Sequence, residues 1–483
     1  MKKNFKTIWQ AIFFLSVISM TSEIHSIDAH LSMIYTNALG EKLPFEIFEK
    51  GNWKPANNAR YVKLHMYFDE PITVKKYEID TCKKLSSNVS VFLNFDEWIF
   101  NLASNEQGYQ YENYPTYKDG VYSRTEFLDS SKKYPQVRSM TINFNSSTNF
   151  SICGIRIYNE NDEAYHVITP HRVKAQVKAT STLKPDKAYG VVNLFDSRFE
   201  YGWASDAKPK DVQIDIDFQT EQDVQKIRIW NGYQRSVKHC YENSRVKTLI
   251  LKGDKDYSVE VQAADQLGSQ VINLPKPYHG KKLTVYVKDA YIGKTYKDLV
   301  ISEIRFFNGQ NWFLLDPYEE LISQIHDMQQ TFEKSGFKDV LNQGFAASKN
   351  GDKADDNTYS YSSIRLRADG SFYLDGSVND YSKAMGKYYF SLGNFDVIEK
   401  KQNQLRMRLF GLLYQTENEL HMDCNGCGRD CNTSDTDSNQ KYMIFQEFVT
   451  LTPDGKGGFN VINESGGKKL PFKMLNFAEQ KGN

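Results

Sequence analysis

The chain has 483 residues, of which 60 are basic and 60 acidic, so its formal net charge is zero at pH 7. A protein without net positive charge has no field that would hold a polyanion, which excludes nucleic acid as an expected partner. At about 100–200 residues per domain, the length predicts about three domains. Tyr and Phe number 30 each, against 13 Pro and 29 Gly, which is typical of globular proteins rich in β-structure.

The first 29 residues have the order of a secretory signal peptide. Three lysines precede an apolar run from about Ile8 to Met20, and small and polar residues follow up to Ala29. The apolar run is too short to cross a bilayer comfortably, and no later stretch reaches a membrane-spanning length. The sequence predicts a protein that is secreted, periplasmic or held at the cell surface, with no integral membrane segment after cleavage. An uncleaved anchor is the alternative.

The chain repeats itself once, at an offset of 150 residues. Apolar positions of the first copy fall on apolar positions of the second: Phe45, Trp53, Val62, Leu64, Met66, Phe68, Val74 and Ile79 fall on Phe195, Trp203, Val212, Ile214, Ile216, Phe218, Val224 and Ile229. Further along, GIRIYNE (154–160) corresponds to EIRFFNG (303–309) at an offset of 149. Two copies of one fold explain this spacing.

Alternation of apolar and polar residues predicts the fold of both copies. In DVQIDIDF (211–218), apolar and polar side chains alternate, so we expect one face of the strand to be buried and the other to be exposed to solvent. That pattern is typical of antiparallel strands, and no helix pattern separates them. The predicted fold class is mainly β, with two tandem jelly-roll sandwiches over 30–165 and 180–316.

The pattern changes after Pro317. Leu321, Ile325, Met328 and Phe332 follow one another at intervals of four, three and four, which predicts an amphipathic helix ending near Gly336. Residues 317–358 are therefore interpreted as helix and linker. From 359 to 483 strand patterns return, including a hairpin around an Asp-Gly turn at 369–370, and predict a small all-β domain, either a barrel or a sandwich.

A long polar loop joins two apolar runs of the second copy, in KIRIWNGYQRSVKHCYENSRVKTLIL (226–251). Paired strands are usually joined by two to five residues, so a loop of about a dozen between them is expected to contact a ligand. Sugars present hydroxyls that donate and accept hydrogen bonds, and an apolar ring face. The loop supplies matching groups, and the candidate glycan-binding residues are Asn231, Tyr233, Gln234, Arg235 and Asn243.

Residues 186–315 resemble the discoidin-like, glycan-binding domains found at the front of secreted bacterial NADases. The resemblance depends on YGVVNLFDSRFEYGWA (189–204), IDFQTEQDVQKIRIWNGYQRS (216–236), YENSRVKTLIL (241–251) and ISEIRFF (301–307). It implies a galactose-binding-like jelly roll that holds carbohydrate in the loops at one end of the sandwich, without catalysis. In the first copy Thr81 and Cys82 replace Asn231 and Gly232, so the scaffold is kept and the site is lost.

A purely structural role is the alternative for this loop. Asn-Gly makes turns on its own, and Arg235 could pair with a nearby carboxylate. Three residues are expected to support the site rather than touch the ligand, namely Asp196, Trp203 and Gly232. A Trp repeated in both copies usually packs in the core.

The six cysteines of an exported chain are first interpreted as disulfide material. Cys82 ends one predicted strand and Cys153 precedes another, so antiparallel pairing of the two strands would join them. A second cluster consists of His421, Cys424, Cys427 and Cys431. It suits either a local disulfide, with the third thiol free or bonded to Cys240, or a Zn²⁺ ion.

The sequence contains no zinc-protease, serine-hydrolase or phosphate-loop motif, so no enzyme, no catalytic residue and no cofactor other than that possible zinc is predicted. The predicted function is carbohydrate binding by an exported bacterial protein through the loops of the second sandwich. Three alternatives remain: a C-terminal enzyme or toxin targeted by the sandwiches, a surface adhesin that binds protein, and a C-terminal metal-binding module. The oligomeric state is left open.

Overall fold

The computed structural model describes residues 27–85, 88–95, 110–125, 134, 136–146, 148–184, 186–198, 201–235, 237–316, 318–350, 358–383, 385–419, 441–455, 459–464 and 478–479. The chain is mainly β, and its first two units are β-sandwiches, as the sequence predicted. The predicted signal peptide lies mostly outside the described residues. Its last two positions, Asp28 and Ala29, begin the first strand. No helix in the described ranges combines the length and the apolar character needed to cross a bilayer.

The first sandwich has two layers around one core, and its strands pair antiparallel except for β10, which pairs parallel with β1. One layer has the strand order β10-β1-β2-β8-β4-β5 and the other β6-β7-β3-β9. Its elements are β1 (Asp28–Thr36), α1 (Glu46–Glu49), β2 (Tyr61–Thr73), β3 (Lys76–Asp80), β4 (Val89–Asn94), β5 (Gln110–Asn113), β6 (Thr116–Lys118), β7 (Val121–Thr125), β8 (Gln136–Asn145), β9 (Gly154–Tyr158) and β10 (His166–Ile168).

The second sandwich follows the order β11-β19-β18-β14-β17-β15-β16, with β12 beside β14 and β13 beside β18. Two short 3₁₀ turns, Val191–Leu194 and Pro209–Asp211, lie between its strands. Its other elements are β11 (His171–Val173), β12 (Ala175–Ala179), α2 (Asp186–Tyr189), β13 (Trp203–Ser205), β14 (Gln213–Asn231), α3 (Val237–Glu242), β15 (Arg245–Gly253), β16 (Ser258–Gln262), β17 (Ser269–Tyr291), β18 (Leu299–Phe307) and β19 (Trp312–Leu315).

The internal repeat is confirmed by burial and by register. All sixteen apolar residues aligned at the offset of 150 are buried, and Trp53 and Trp203 are each at most 1% exposed. Trp53 forms a bridge to Ile152, and Trp203 pairs with Ile301 in the same way. Likewise β3 pairs with β9 in the register in which the end of β14 pairs with β18. The same side chains therefore fill the same core positions in both copies.

The predicted disulfide is present. Antiparallel pairing of β3 with β9 places Asp80 opposite Gly154, so Cys82 and Cys153 lie side by side with their Cα atoms 5.4 Å apart. The bridge closes a loop of 71 residues. Because closing a loop this long lowers the entropy of the unfolded chain, the bridge stabilises the folded state by about 4 kcal/mol in the chain-entropy account.

The third unit is a helix packed on one antiparallel meander with the order β26-β25-β24-β23-β22-β21-β20-β27. Ile325, Met328 and Phe332 of the helix join its core, as the spacing predicted, and the Phe332 and Phe395 rings lie 6.0 Å apart. The elements are α4 (Tyr318–Lys334), β20 (Gly344–Asn350), β21 (Thr358–Leu366), β22 (Ser371–Asp380), β23 (Met385–Lys401), β24 (Gln404–Glu419), β25 (Lys441–Pro453), β26 (Phe459–Glu464) and β27 (Ala478–Glu479).

Candidate functional site

The loop from Asn231 to Arg245 connects two strands that are not neighbours. β14 pairs with β17 and β18, whereas β15 pairs with β16 and β17, so β17 lies between the joined strands. The assumption that the two apolar runs pair directly is therefore wrong. Because the connection must cross the end of β17, topology already accounts for part of its length, and α3 occupies its middle.

Asn231 fastens the loop to the next strand. Its Nδ2 donates to the Val246 carbonyl at 2.7 Å and its Oδ1 accepts from the Val246 amide at 2.9 Å, and the residue is 1% exposed. A buried amide engaged on both ends offers nothing to a ligand. This placement differs from the predicted glycan contact and corresponds to the structural alternative.

Gln234 also points inward. Its Nε2 donates to the Asn231 carbonyl at 2.6 Å, and its Oε1 accepts from the Gly268 amide at 3.0 Å. The turn before it requires glycine, because Gly232 has a φ of +78° and a Cβ there would lie 2.5 Å from Cγ of Arg245. Gln234 therefore holds the loop's shape, which again differs from the predicted contact with sugar.

Tyr233, Arg235 and Asn243 do converge. They line a small cavity, here called the loop-end recess, at the end of the sandwich where β14 stops and β18 starts. The Arg235 guanidinium lies 4.7 Å from the Tyr233 ring centre and 5.6 Å from that of Tyr201. Asn243 donates from Nδ2 to the His239 carbonyl at 2.9 Å and is half-buried.

Four polar or aromatic residues that the sequence did not single out also line the recess on the sandwich side, namely Tyr189, His239, Tyr296 and Asp298. Tyr189 ends α2 in the segment between β12 and β13, and Tyr296 and Asp298 lie in the short loop before β18. Both loops end at the same edge of the sandwich as the loop after β14. The predicted site was drawn from the polar and aromatic residues of one loop only. Considering those of all the loops at this end of the sandwich would have identified the four residues.

Burial sets the charges of the recess. It lowers the pKa of His239 well below the usual value, with help from the positive charges of Arg235 and Lys238. It raises the pKa of Asp298, as does the nearby Asp206 carboxylate. Burial therefore favours the uncharged imidazole of His239 and works against the charged form of Asp298, beside the guanidinium of Arg235, and these groups can donate to and accept from hydroxyl groups.

The predicted supporting residues lie behind the recess. Trp203 is fully buried and donates from its indole N–H to the Ser181 carbonyl at 3.2 Å. Asp196 accepts from the Arg198 amide at 2.9 Å, which shapes the segment that carries Tyr201. Both residues act on the backbone that positions the recess.

The C-terminal sheet covers the recess. Gly393, Asn394, Phe410 and Gly411, from β23 and β24, form its outer wall and leave a free volume of about 90 Å³. The Tyr201 hydroxyl donates to the Gly393 carbonyl at 3.4 Å. Ligand pockets usually measure about 300–1,000 Å³, so in this arrangement the recess is too small for a sugar ring.

A buried ion pair anchors this cover. Arg198 of the second sandwich and Asp369 of the β21–β22 turn lie 2.7 Å apart, and their side chains are 11% and 7% exposed. Although burial favours the neutral acid, Arg198 and Arg367 hold the pKa of Asp369 below its usual value. The pair is therefore charged at neutral pH.

Cys240 lies in α3 as a buried thiol without a disulfide to any described cysteine, and it donates to the Asn231 carbonyl at 3.6 Å. Burial raises its pKa to about 12, which leaves no thiolate for chemistry at neutral pH. The other predicted cluster, His421, Cys424, Cys427 and Cys431, lies outside the described residues. Within the described part of the chain, no group of three His, Cys, Asp or Glu side chains is arranged to hold a metal ion.

Comparison with known proteins agrees with the resemblance seen in the motifs. Residues 169–307 match the family model of the NAD glycohydrolase translocation F5/8 type C domain. The sandwich residues of the recess, from Leu183 to Val300, all lie inside this F5/8 type C segment, whereas Phe410 and Gly411 lie outside it. No curated protein matches the chain.

Several solved structures of carbohydrate-binding modules are similar to the chain. One contains two family 32 modules and the M60 catalytic domain of ZmpB from Clostridium perfringens, with 9% identity and a TM-score of 0.23 over 62% of this chain, which spans only 38% of that protein. The family 32 module of NanJ from C. perfringens, solved with galactose, has 13% identity and a TM-score of 0.22 over 27% of this chain and 92% of the module. The module of EndoD from Streptococcus pneumoniae has 16% identity and a TM-score of 0.24 over 28% of this chain and 95% of the module.

The charges of the recess predict a pH profile. We expect affinity for a neutral glycan to stay constant where an exposed histidine titrates, near pH 6.5, because His239 remains uncharged there. Affinity should fall in more acidic solution, because protonation of Asp298, whose pKa is raised above 3.8, removes a hydroxyl acceptor. Calorimetric titrations across this range, with Asp298→Asn as the comparison, measure the profile. A step near pH 6.5, or an acid limb that persists in Asp298→Asn, would contradict it.

Proposed function

We propose that the chain is an exported, non-enzymatic carbohydrate-binding protein that acts at a cell surface through the loop-end recess of its second sandwich. The main observation that supports this proposal is that Tyr233, Arg235, Asn243 and Asp298 converge at one end of the sandwich. An aromatic ring, a guanidinium, an amide and a carboxylate are the groups that a pyranose with several hydroxyls requires.

Asn231 and Gln234 are assigned a different role in this proposal. Their side chains hold the loop by hydrogen bonds to Val246 and Gly268. They keep Tyr233 and Arg235 in place without meeting the sugar. Rigid support of this kind reduces the entropy lost when a ligand binds.

Access to the recess requires movement of the C-terminal sheet. A sugar ring cannot share about 90 Å³ with the Phe410 side chain in its present position. Glycan binding is therefore coupled to separation of the sheet from the second sandwich. The apparent affinity of the whole chain equals the affinity of the open form multiplied by the fraction of molecules that are open.

A glycan-array screen tests this function. The protein from about Ile27 onward is compared with the Tyr233→Ala/Arg235→Ala double variant, whose folding is checked by circular dichroism. The matched control is Lys252→Ala/Tyr286→Ala, which removes another cation and tyrosine in contact, 4.6 Å apart, on the same sandwich. We expect binding by the parent and by the control, and its loss in the Tyr233 and Arg235 variant.

Other outcomes have distinct meanings. Silence of the parent and of Asp369→Asn, which breaks the ion pair between Arg198 and the cover, would overturn the proposal and favour a protein partner or an activity of the C-terminal unit. Binding that survives in the folded double variant would reject this recess as the site. Attachment to cells that free sugar does not compete would favour the protein-binding adhesin.

A further inference from the structure

A second cavity lies between the first sandwich and the C-terminal sheet. This cavity, here called the inter-domain groove, has a volume of about 350 Å³, within the range of about 300–1,000 Å³ that ligand pockets occupy. One wall is the outer face of β2, β8 and β4, and the other is the β21–β22 hairpin. It shares no lining residue with the loop-end recess.

The first wall is polar because of strand alternation. Val62 and Phe144 point into the core of the first sandwich, so their neighbours Lys63 and Asn143 point outward. These two residues are direct cross-strand partners, and Ser90 lies opposite Asn143 on the other side of β8. The result is a row of amide, hydroxyl and ammonium groups across three strands.

The second wall carries cations. Ile364 and Leu366 of β21 face the helix-covered core, so Arg365 and Arg367 face the groove. Tyr373 is the cross-strand partner of Arg365. Two neighbouring guanidinium groups therefore project from the same face of one hairpin.

Two aromatic rings fix the plane of Arg365. Its guanidinium lies 4.3 Å from the centre of the Tyr61 ring and 5.0 Å from that of the Tyr373 ring. Stacking of this kind occupies the faces of a guanidinium and uses none of its N–H donors. Its buried Nε has no acceptor among the described residues.

Two carboxylates lie near these arginines without forming a salt bridge to them, and the charge of Arg365 acts on Asp375 and that of Arg367 on Asp369. Within the described ranges, no carboxylate forms a salt bridge with Arg365 or Arg367, and the side chain of Arg367 reaches only the Ser371 hydroxyl, at 3.5 Å. Asp369 is paired with Arg198, and Asp375 accepts from the Ser363 hydroxyl. Burial lowers the pKa of Arg367, and so do the positive charges of Arg198 and Arg365, against opposing effects of Tyr201 and Asp369. The groove therefore has an excess of positive charge.

We propose that the inter-domain groove binds an acidic saccharide, with a sugar carboxylate held by Arg365 and Arg367 and the hydroxyls held by the polar wall of β2, β8 and β4. A planar guanidinium matches a carboxylate through two parallel hydrogen bonds. A bare inorganic anion held by the arginines would not reach across to Asn143 and Lys63 on the opposite wall. A neutral sugar would leave the arginines without a counter-charge.

Calorimetric titration of the full chain tests this site with three probes. Sialyllactose carries a carboxylate on a terminal sugar, a galacturonic acid oligomer carries one on each ring, and lactose is the neutral parent of the first probe. We expect at least one acidic probe to bind, lactose to bind at least tenfold more weakly to this site, and the affinity for the acidic probe to fall as salt is raised.

Four variants place the binding in the molecule. Arg365→Gln should weaken it by tenfold or more, and Asn143→Ala, on the other wall and in a different unit, should weaken it by several-fold. Lys54→Gln removes an exposed charge of the first sandwich outside the groove and should change nothing. Tyr233→Ala should also leave it unchanged, which separates this site from the loop-end recess.

Several results would overturn the assignment of an acidic-saccharide site to the groove. Failure of both acidic probes to bind the parent overturns the proposal, and so does equal binding of lactose that the Tyr233→Ala substitution in the loop-end recess leaves unchanged. Binding that is unchanged in folded Arg365→Gln and Asn143→Ala, or that is lost in Tyr233→Ala, assigns the acidic sugar elsewhere. If Arg365→Gln does not fold, the Asn143→Ala result alone carries the decision.

Discussion

Replacing Asp69 by alanine should lower the free energy of unfolding of the two joined sandwiches by about 3–5 kcal/mol, the usual cost of removing one partner of a buried ion pair. Asp69 of the first sandwich pairs with Arg228 of the second, and their side chains are 17% and 5% exposed. The same carboxylate accepts from the Trp312 indole at 2.8 Å and from the Ser32 hydroxyl at 2.8 Å.

The expected loss of stability is large because removing the Asp69 carboxylate leaves buried groups without a partner. Without Asp69, the Arg228 guanidinium stays buried against the Trp312 ring, 4.7 Å away, with no counter-charge. Two hydrogen-bond donors lose their acceptor at the same time, and an unsatisfied buried donor costs about 1–3 kcal/mol. The apolar contact of Met33, Tyr67 and Trp230 at the same interface would remain.

Denaturant unfolding followed by tryptophan fluorescence measures this loss, because Trp230 and Trp312 lie at the interface. The control is Glu260→Ala, which breaks a pair with Lys288 whose side chains are 44% and 53% exposed and should cost about 0–1 kcal/mol. Asp69→Asn keeps one acceptor and should lie between the two. Equal losses for Asp69→Ala and Glu260→Ala would show that the pair does not hold the sandwiches together.

Replacing Asp369 by asparagine should increase the apparent glycan affinity of the full chain by about tenfold or more. The substitution removes the charge that Arg198 faces across the two units, while an asparagine oxygen can still accept from the Ser371 amide, as Oδ1 does now at 3.0 Å. The turn is therefore kept and the anchor of the cover is lost. Weakening the closed form by about 1.4 kcal/mol raises the open fraction tenfold when the closed form dominates.

Glu319→Gln is the matched control for this experiment. It breaks a second ion pair between the same units, Lys174 with Glu319, whose side chains are 62% and 87% exposed, and such pairs contribute little. Small-angle scattering should show a more extended particle for Asp369→Asn alone. An extended particle without tighter glycan binding would mean that the cover does not control the recess, and no change in either measurement would mean that this ion pair is not the anchor.

Much of the fold followed from the sequence because alternation fixes burial. The repeat placed sixteen apolar side chains in equivalent core positions, and the pairing that joins Cys82 to Cys153 followed from two strands recognised separately. The helix was predicted over the right residues because its apolar spacing is helical and Gly336, with a φ of +81°, follows its end. These are local signals, each contained in a short stretch of chain.

The site was predicted only in part because side-chain direction in a loop depends on backbone torsions. Tyr233 and Arg235 enter the loop-end recess, whereas Asn231 and Gln234, of similar polarity and in the same five residues, turn inward. Gly232, with a positive φ, follows Asn231, and the alternation of Tyr233, Gln234 and Arg235 after it turns Gln234 away from the recess that its two neighbours enter. Polarity alone does not distinguish a residue that binds a ligand from one that holds a loop.

The sequence by itself determined the β-class, the two-fold repeat, the disulfide and the loop that carries Tyr233 and Arg235, because each is encoded in spacing along the chain. Only the tertiary structure decided that β17 separates β14 from β15, that the C-terminal sheet covers the recess, and that Arg365 and Arg367 face the polar sheet of the first sandwich. Strand alternation specifies which face is buried but not which distant surface buries it. That choice depends on contacts between residues far apart in the chain, such as Arg198 with Asp369.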